Sequence, residues 1–253
     1  MIDSIVNFRD FGGVSSRFGG HIKRDRLFRS GSLSTAHGGD IERLLTLDFA
    51  LVADLRFAGE REEEPSPWPP AFADRIHAHD GKRDAEAPHM GPLRNGSMDE
   101  ALAEQIYLKF YREIAFDPLY RPLFARVLNA LPDLEGRVLI HCSAGKDRTG
   151  ALAALIQHAL GTPREEIIAD FMKSRESPGL KAMALPTALK LQEKFGVPVR
   201  LELMRKLLDV EEQYMAAFFN EIERVCGSTD AYLDAAGLTE LRRQRLRERL
   251  LTG

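Results

Sequence analysis

Only two of the 253 residues are cysteine, Cys142 and Cys226, and no Cys-x-x-Cys pair occurs. A disulfide framework and a cysteine-based zinc or redox pair are thereby excluded, so any cysteine chemistry must use a single thiol. Charge of one sign is lacking as well: 35 lysines and arginines stand against 38 aspartates and glutamates, a formal net charge of -3. Such a balance provides no global field for holding nucleic-acid phosphates, and no nucleic-acid partner is expected. No apolar run approaches the ~18 residues that span a bilayer, and residues 1–10 lack the charged-then-apolar pattern of a secretory leader. The expectation is therefore a cytoplasmic chain with no transmembrane segment. With 20 glycines and 13 prolines the chain is neither collagenous nor of low complexity, and 44% hydrophobic with 29% charged residues are proportions of a folded protein. Neither an internal repeat nor a long linker divides it, so one domain over residues 1–253 is expected.

Within that domain the character changes along the chain. Residues 1–92 are strand-rich, with β-type runs at 5–8, 26–28, 51–55 and 75–79 and a short amphipathic stretch at 41–47. The proline-dense 65–70 segment, PSPWPP, reads as a surface loop. Apolar residues at helical spacing predict helices over 98–115 and 119–131, separated at Asp117-Pro118. The aliphatic run 137–140 predicts a buried strand, and the 151–160 helix stops at Gly161. Beyond it, Thr162 with Glu165, and Asp209 with Glu212, have the spacing of capping boxes at two further helix starts. Residues 177–253 form a helical layer that closes with two short helices punctuated by Gly227, Gly237 and Thr239.

Between the 137–140 strand and the next helix runs His141-Cys142-Ser143-Ala144-Gly145-Lys146-Asp147-Arg148-Thr149-Gly150. A loop so placed can turn successive N–H groups inward and, with the positive end of the following helix dipole, cradle a dianion such as phosphate. Cys142 stands in the same field, which favours thiolate over thiol. Arg148 can return over the loop and hold two phosphoryl oxygens with its planar fork. Thr149 can donate its hydroxyl to the cysteine sulfur. A Walker-type nucleotide loop around Gly145-Lys146 is excluded, because Ile140 stands where glycine is required and Asp147 where Ser/Thr would bind magnesium.

Cys-x5-Arg followed by Ser/Thr resembles the active-site motif of the protein tyrosine phosphatase superfamily. The fuller HCSAGKDRTG is similar to the bacterial tyrosine/serine phosphatase branch, related to dual- and lipid-specific phosphatases, as are Asn7-Phe8-Arg9-Asp10-Phe11-Gly12-Gly13, Asp54-Leu55-Arg56 with Glu60-Arg61-Glu62, residues 169–174 and residues 227–238. The resemblance implies an α/β phosphatase fold: a central twisted sheet surrounded by helices, with 137–176 carrying the cysteine loop. It implies hydrolysis of phosphomonoesters through a cysteinyl phosphate on Cys142, with no cofactor and no metal. The substrate would be a phosphorylated protein or a phosphoinositide, and inorganic phosphate the product. Ser143, Ala144, Gly145 and Lys146 would line the phosphate site.

A general acid is also needed. The Trp-Pro-Asp loop of the tyrosine-specific branch is interrupted here, since Pro70 follows Trp68-Pro69. In the branch it resembles, the loop aspartate has that duty, which is Asp147, although cationic neighbours favour its carboxylate form. Asp54, at a strand end, is the alternative acid or an orienter of Arg148, and Asp10, Asp74, Asp80 and Asp84 are further carboxylates. Lys146 reads as an ammonium at the pocket rim for extra substrate phosphates, or as a solvated lysine. Arg9 and Arg56 read as a basic surround or as ion pairs, and His141 as a donor that fixes the loop. The arginine-rich tail reads as a docked helix with a solvated face, Cys226 as a core residue, and the 98–115 and 181–195 helices as a lid or as ordinary packing. Two rival functions remain open: a binding module that captures phosphorylated ligands without turnover, and another cysteine-loop enzyme such as a sulfur transferase.

Overall fold

Alternation of side chains across short strands sets the centre of the molecule. The computed structural model describes residues 2–81 and 88–253. Among these, the strands are β1 (Arg9–Asp10), β2 (Leu27–Ser30), β3 (Phe49–Asp54), β4 (Ile76–Ala78) and β5 (Arg137–His141), in sheet order β1-β2-β5-β3-β4. β1 is antiparallel to β2 and the other pairings are parallel. Leu27, Leu51, Ala53, Val138 and Ile140 enter the larger core on one face. Phe28, Val52 and Leu139, their immediate neighbours in sequence, enter a second core on the other face, as does Phe49 across the register shift between Phe49 and Leu51. Such two-sided burial is why these strands read as continuous apolar runs.

The helices are α1 (Gly39–Thr46), α2 (Ala58–Glu63), α3 (Met90–Arg94), α4 (Glu100–Glu113), α5 (Tyr120–Ala130), α6 (Asp147–Ala159), α7 (Arg164–Met172), α8 (Pro178–Phe195), α9 (Leu201–Leu208), α10 (Glu212–Cys226), α11 (Thr229–Ala235) and α12 (Glu240–Leu250). α1 covers the second core through Leu44, whereas α5, α6, α7, α10 and α12 build the larger one. A small third core joins Leu93, Ala103 of α4, Ala184 and Ala188 of α8, and Leu203 and Leu207 of α9. The architecture is the α/β phosphatase type, a mixed sheet surrounded by helices. None of the helices among the described residues is long and apolar enough to cross a membrane.

Several local expectations are revised. The 5–8 run is a turn rather than a strand, with Asn7 at φ 57°, because Ile5, together with Ile2 before it, anchors a loop on the second core. α6 starts at Asp147 rather than 151, so the end of the cysteine loop is already helix. Neither expected capping box forms: Thr162 Oγ1 is buried with no hydrogen-bond partner among the described residues, and Asp209 Oδ1 accepts from Arg175 Nε at 2.9 Å. At the start of α2 the Phe57 N–H donates to Glu60 Oε2 at 2.7 Å, the half of such a box that a glutamate supplies. Trp68 is packed, stacked on Phe72 at 4.9 Å and edge-on to Phe49. The tail helix docks through Arg242 and Arg245 on Asp133 and Arg243 on Asp234, while Glu240 pairs with Arg243 and Arg247 within the helix. Cys226 packs at the margin of the larger core.

Candidate active site

β5 is the central strand, and its carboxyl end delivers Cys142 into the loop that α6 closes, the place where open α/β sheets collect ligands. The Cys142 thiol is buried, and its Sγ accepts a hydrogen bond from the Gly145 N–H at 3.3 Å. Gly145 is required twice. Its φ of 70° is left-handed, and a Cβ there would lie 2.3 Å from the backbone carbonyl carbon of Ser30. The loop carbonyls point outward: Ser143 O accepts from the Ser32 N–H at 2.8 Å, and Gly145 O from Asn7 Nδ2 at 2.8 Å and Arg29 Nη2 at 3.1 Å. Lys146 O accepts from Arg29 Nη2 at 3.3 Å and the Gly150 N–H at 2.8 Å. Thr149 Oγ1 is buried, and among the described residues no hydrogen bond reaches it, in contrast to the donation to sulfur expected of it.

Arg148 is clamped by Glu60. Its Nη1 donates to Glu60 Oε2 at 2.6 Å and Nη2 to Oε1 at 2.8 Å, with further bonds to Leu55 O at 3.1 Å and Ser143 Oγ at 3.2 Å. Burial opposes the charged form of Glu60, yet the Arg148 guanidinium outweighs it and brings the carboxyl down to about 2. Arg148 is likewise held charged by Glu60 against its own burial. Burial pushes the nearby Tyr120 phenol up to about 12. The capping role of Glu60 therefore also aims the loop arginine.

Asp147, in the first turn of α6, accepts from the Tyr111 hydroxyl at 2.8 Å through Oδ1 and faces Lys146 Nζ at 3.5 Å through Oδ2. Tyr111 is fully buried and stacks on Tyr214, which stacks in turn on Tyr107. Lys146 is not at a solvated rim. Its ammonium is buried over the Tyr107 ring at 4.5 Å and donates to Leu207 O at 2.7 Å and Asp209 O at 2.9 Å, the negative end of α9. Desolvation would lower its pKa, but Asp147 and Tyr107 raise it overall.

Asp54 and Arg56 are placed away from the expected roles. Arg56 is buried with every donor group engaged: Nε and Nη2 on Asp54 at 2.9 and 2.7 Å, Nη1 on Ser32 Oγ and Glu64 O, and Nη2 also on Ser66 Oγ. It ties β3 to the proline-rich loop and has no donor to spare for a substrate, which corrects its assignment to the rim. Burial works against ionised Asp54, but His141 and Arg56 bring its carboxyl to about 2, and it pairs with Arg56 rather than orienting Arg148. His141 Nε2 lies 3.5 Å from Asp54 Oδ2, and desolvation lowers the ring to about 4, so it is neutral at pH 7. Arg9 sits behind the loop with Asp170, whose carbonyl accepts from Nη2 at 3.0 Å. Asp10 caps turns through Gly12 and Asp25, Asp74 and Asp80 are exposed, and Asp84 lies outside the described residues. Among the described residues no group of three or more His, Cys, Asp or Glu is placed to hold a metal ion.

The sequence pointed to neither Arg29 nor Tyr111, and it assigned no role to Glu60 and Asp170, though both lie in segments that resemble the family. The readable signal was an ionisable residue inside an apolar run, Arg29 after Leu27-Phe28 and Asp170 before Phe171-Met172. Tyr111 carried no signal beyond its helical spacing.

Comparison with known proteins agrees with this geometry. The model of the tyrosine phosphatase family matches residues 1–252. A Cupriavidus necator protein bearing a tyrosine-protein phosphatase name is 34% identical over 234 residues, covering 91% of this chain and 81% of the relative. The triple specificity protein phosphatase PtpB of Mycobacterium tuberculosis is 30% identical over 277 residues, covering 97% and 96%. The chain is a phosphatase and belongs to the tyrosine phosphatase family.

Proposed function

We propose that the chain hydrolyses phosphomonoesters through Cys142. The observation that carries this reading is the Gly145 N–H on Cys142 Sγ inside a loop whose carbonyls are turned outward, beside an arginine aimed by Glu60. The thiolate is the nucleophilic form of a cysteine. The thiolate attacks phosphorus, the P–O bond to the leaving group breaks, and the departing oxygen takes a proton from Asp147. Water then attacks the S–P bond, Asp147 accepts the water's proton, and inorganic phosphate leaves as the thiolate is restored. Loop N–H groups and Arg148 stabilise the transferring phosphoryl group. Asp147 accepts from the Tyr111 hydroxyl and faces the Lys146 ammonium. A phenolate leaves with less need of a proton than an alkoxide. Phosphotyrosine is accordingly the preferred substrate class, with phosphoserine, phosphothreonine and phosphoinositides turned over more slowly; the name of the mycobacterial relative supports breadth of substrate.

The test is phosphate release by wild type and Cys142→Ser, without added metal, from a phosphotyrosine peptide, a phosphoserine peptide and a soluble phosphoinositide. Release by wild type alone, fastest from the phosphotyrosine peptide, is expected. Binding of all three by both proteins without release would replace the hydrolytic reading with that of a capture module.

A further inference from the structure

Behind the cysteine loop, on the side away from Cys142, lies a buried charge cluster that the chemistry above does not use. Arg29 and Asp170 are both nearly inaccessible and pair at 3.0 Å, Arg9 lies 3.6 Å from Asp170, and the Asn7 side chain accepts from Arg9 while donating to Gly145 O. Burying two guanidiniums on one carboxylate is costly unless their remaining donors are used. The Nη2 of Arg29 ends on the loop, serving both Gly145 O and Lys146 O, while its Nε has no hydrogen-bond partner among the described residues.

Peptide planarity turns this anchoring into a statement about the opposite face. In a trans peptide the C=O and the following N–H point in opposite directions. Holding Gly145 O and Lys146 O toward Arg29 therefore fixes the N–H groups of Lys146 and Asp147 away from it. We propose that Arg29, held by Asp170 and seconded by Asn7, is a positioning residue for phosphate: it sets the direction of the Lys146 and Asp147 N–H groups so that they donate to phosphoryl oxygens. The proposal rests on the phosphatase reading of the cysteine loop. Arg29 never touches the substrate; it acts through two peptide planes, and a lysine has no second nitrogen to hold Asp170 while the first serves both carbonyls.

The experiment measures binding of inorganic phosphate by titration calorimetry, together with kcat and KM on p-nitrophenyl phosphate and the melting temperature, for wild type, Cys142→Ser, Arg29→Met, Arg29→Lys and Asn7→Asp. Asn7→Asp is nearly isosteric, tolerates the left-handed backbone, keeps the acceptor for Arg9, and replaces the donor to Gly145 O and Ser174 Oγ with a carboxylate oxygen. For Arg29→Met, phosphate affinity should fall at least about tenfold and kcat by about a hundredfold, the size of losing a preorganised oxyanion donor. Arg29→Lys should recover part of both, and Asn7→Asp should weaken phosphate by about threefold. A merely structural role would lower the melting temperature and leave the phosphate affinity of the folded protein alone. Folded Arg29→Met with wild-type phosphate affinity overturns the proposal. If that variant does not fold, unchanged affinity in Arg29→Lys and Asn7→Asp overturns it equally, and weakened affinity in both supports it. Turnover surviving in Cys142→Ser would instead remove the cysteine mechanism, and the calorimetric comparison would still judge Arg29.

Discussion

Asp147 has a partner at each of its two oxygens, the Tyr111 hydroxyl and the Lys146 ammonium, and these fix where its carboxyl group stands. A leaving group that departs as a stable anion has less need of a proton from it than an alkoxide has. Asp147→Asn should lower turnover on alkyl phosphates by about a hundredfold and on aryl phosphates with good leaving groups far less. Steady-state rates on a phenyl and an alkyl phosphate check this, and equal losses on both would remove Asp147 from the acid step. At this scale the sequence was legible where chemistry fixes spacing, as with Cys142, Arg148 and Asp147 in one loop. It was opaque where a partner arrives from far along the chain. Glu60 reaches Arg148, and Asp170 reaches Arg29, only because the sheet brings their elements together. Arg56 was misplaced for the same reason, since its partners Ser32, Glu64 and Ser66 lie on loops whose path no local pattern reveals.

Between elements, the cysteine loop is fastened to the α8–α9 pair by one side chain. Lys146 spans from the first turn of α6 to the carbonyls that close α9, and α9 shares its small core with α4 and α8. Charged hydrogen bonds of this kind contribute about 1.5–3 kcal/mol each. Lys146→Met should therefore raise amide exchange in α9 by about tenfold or more while β5 and β3 stay protected, as hydrogen exchange followed by mass spectrometry would record. Unchanged exchange in α9 would show that the third core holds it without the lysine. Helix periods announced α4, α5, α8 and α10 because their apolar faces repeat. Helix starts were less legible: Asp209 has the right side chain for a cap but is held by Arg175, a tertiary contact that outcompetes the local one.

Across the whole molecule the buried ionisable groups make stability depend on pH in one direction. His141, depressed from 6.5 to about 4, is more readily protonated when unfolded, so its contribution is complete above pH 6.5 and is lost as pH falls through 4. His77, His79 and His158 are lowered by burial too and act in the same sense. Asp54 and Glu60, near 2 in the fold, add a second loss from about pH 4 downward. The melting temperature should decline on acidification from 6.5 to 4, and His141→Gln should make that limb shallower. Superimposable pH curves for the two proteins would assign the limb to the other histidines.

The sheet order has a consequence in time. β5, the strand that carries Cys142, lies between β2 and β3, yet it follows them by some eighty to a hundred residues in the chain. During synthesis β1 and β2, and β3 and β4, can pair as they emerge, but the edges of β2 and β3 that face β5 have no partner until residue 141 has left the ribosome. Until then two apolar strand edges stand open, which is when such chains pair with the wrong neighbour. Insertion of β5 completes the sheet and assembles the reactive loop in one event, so the nascent chain has no partly built phosphatase to expose.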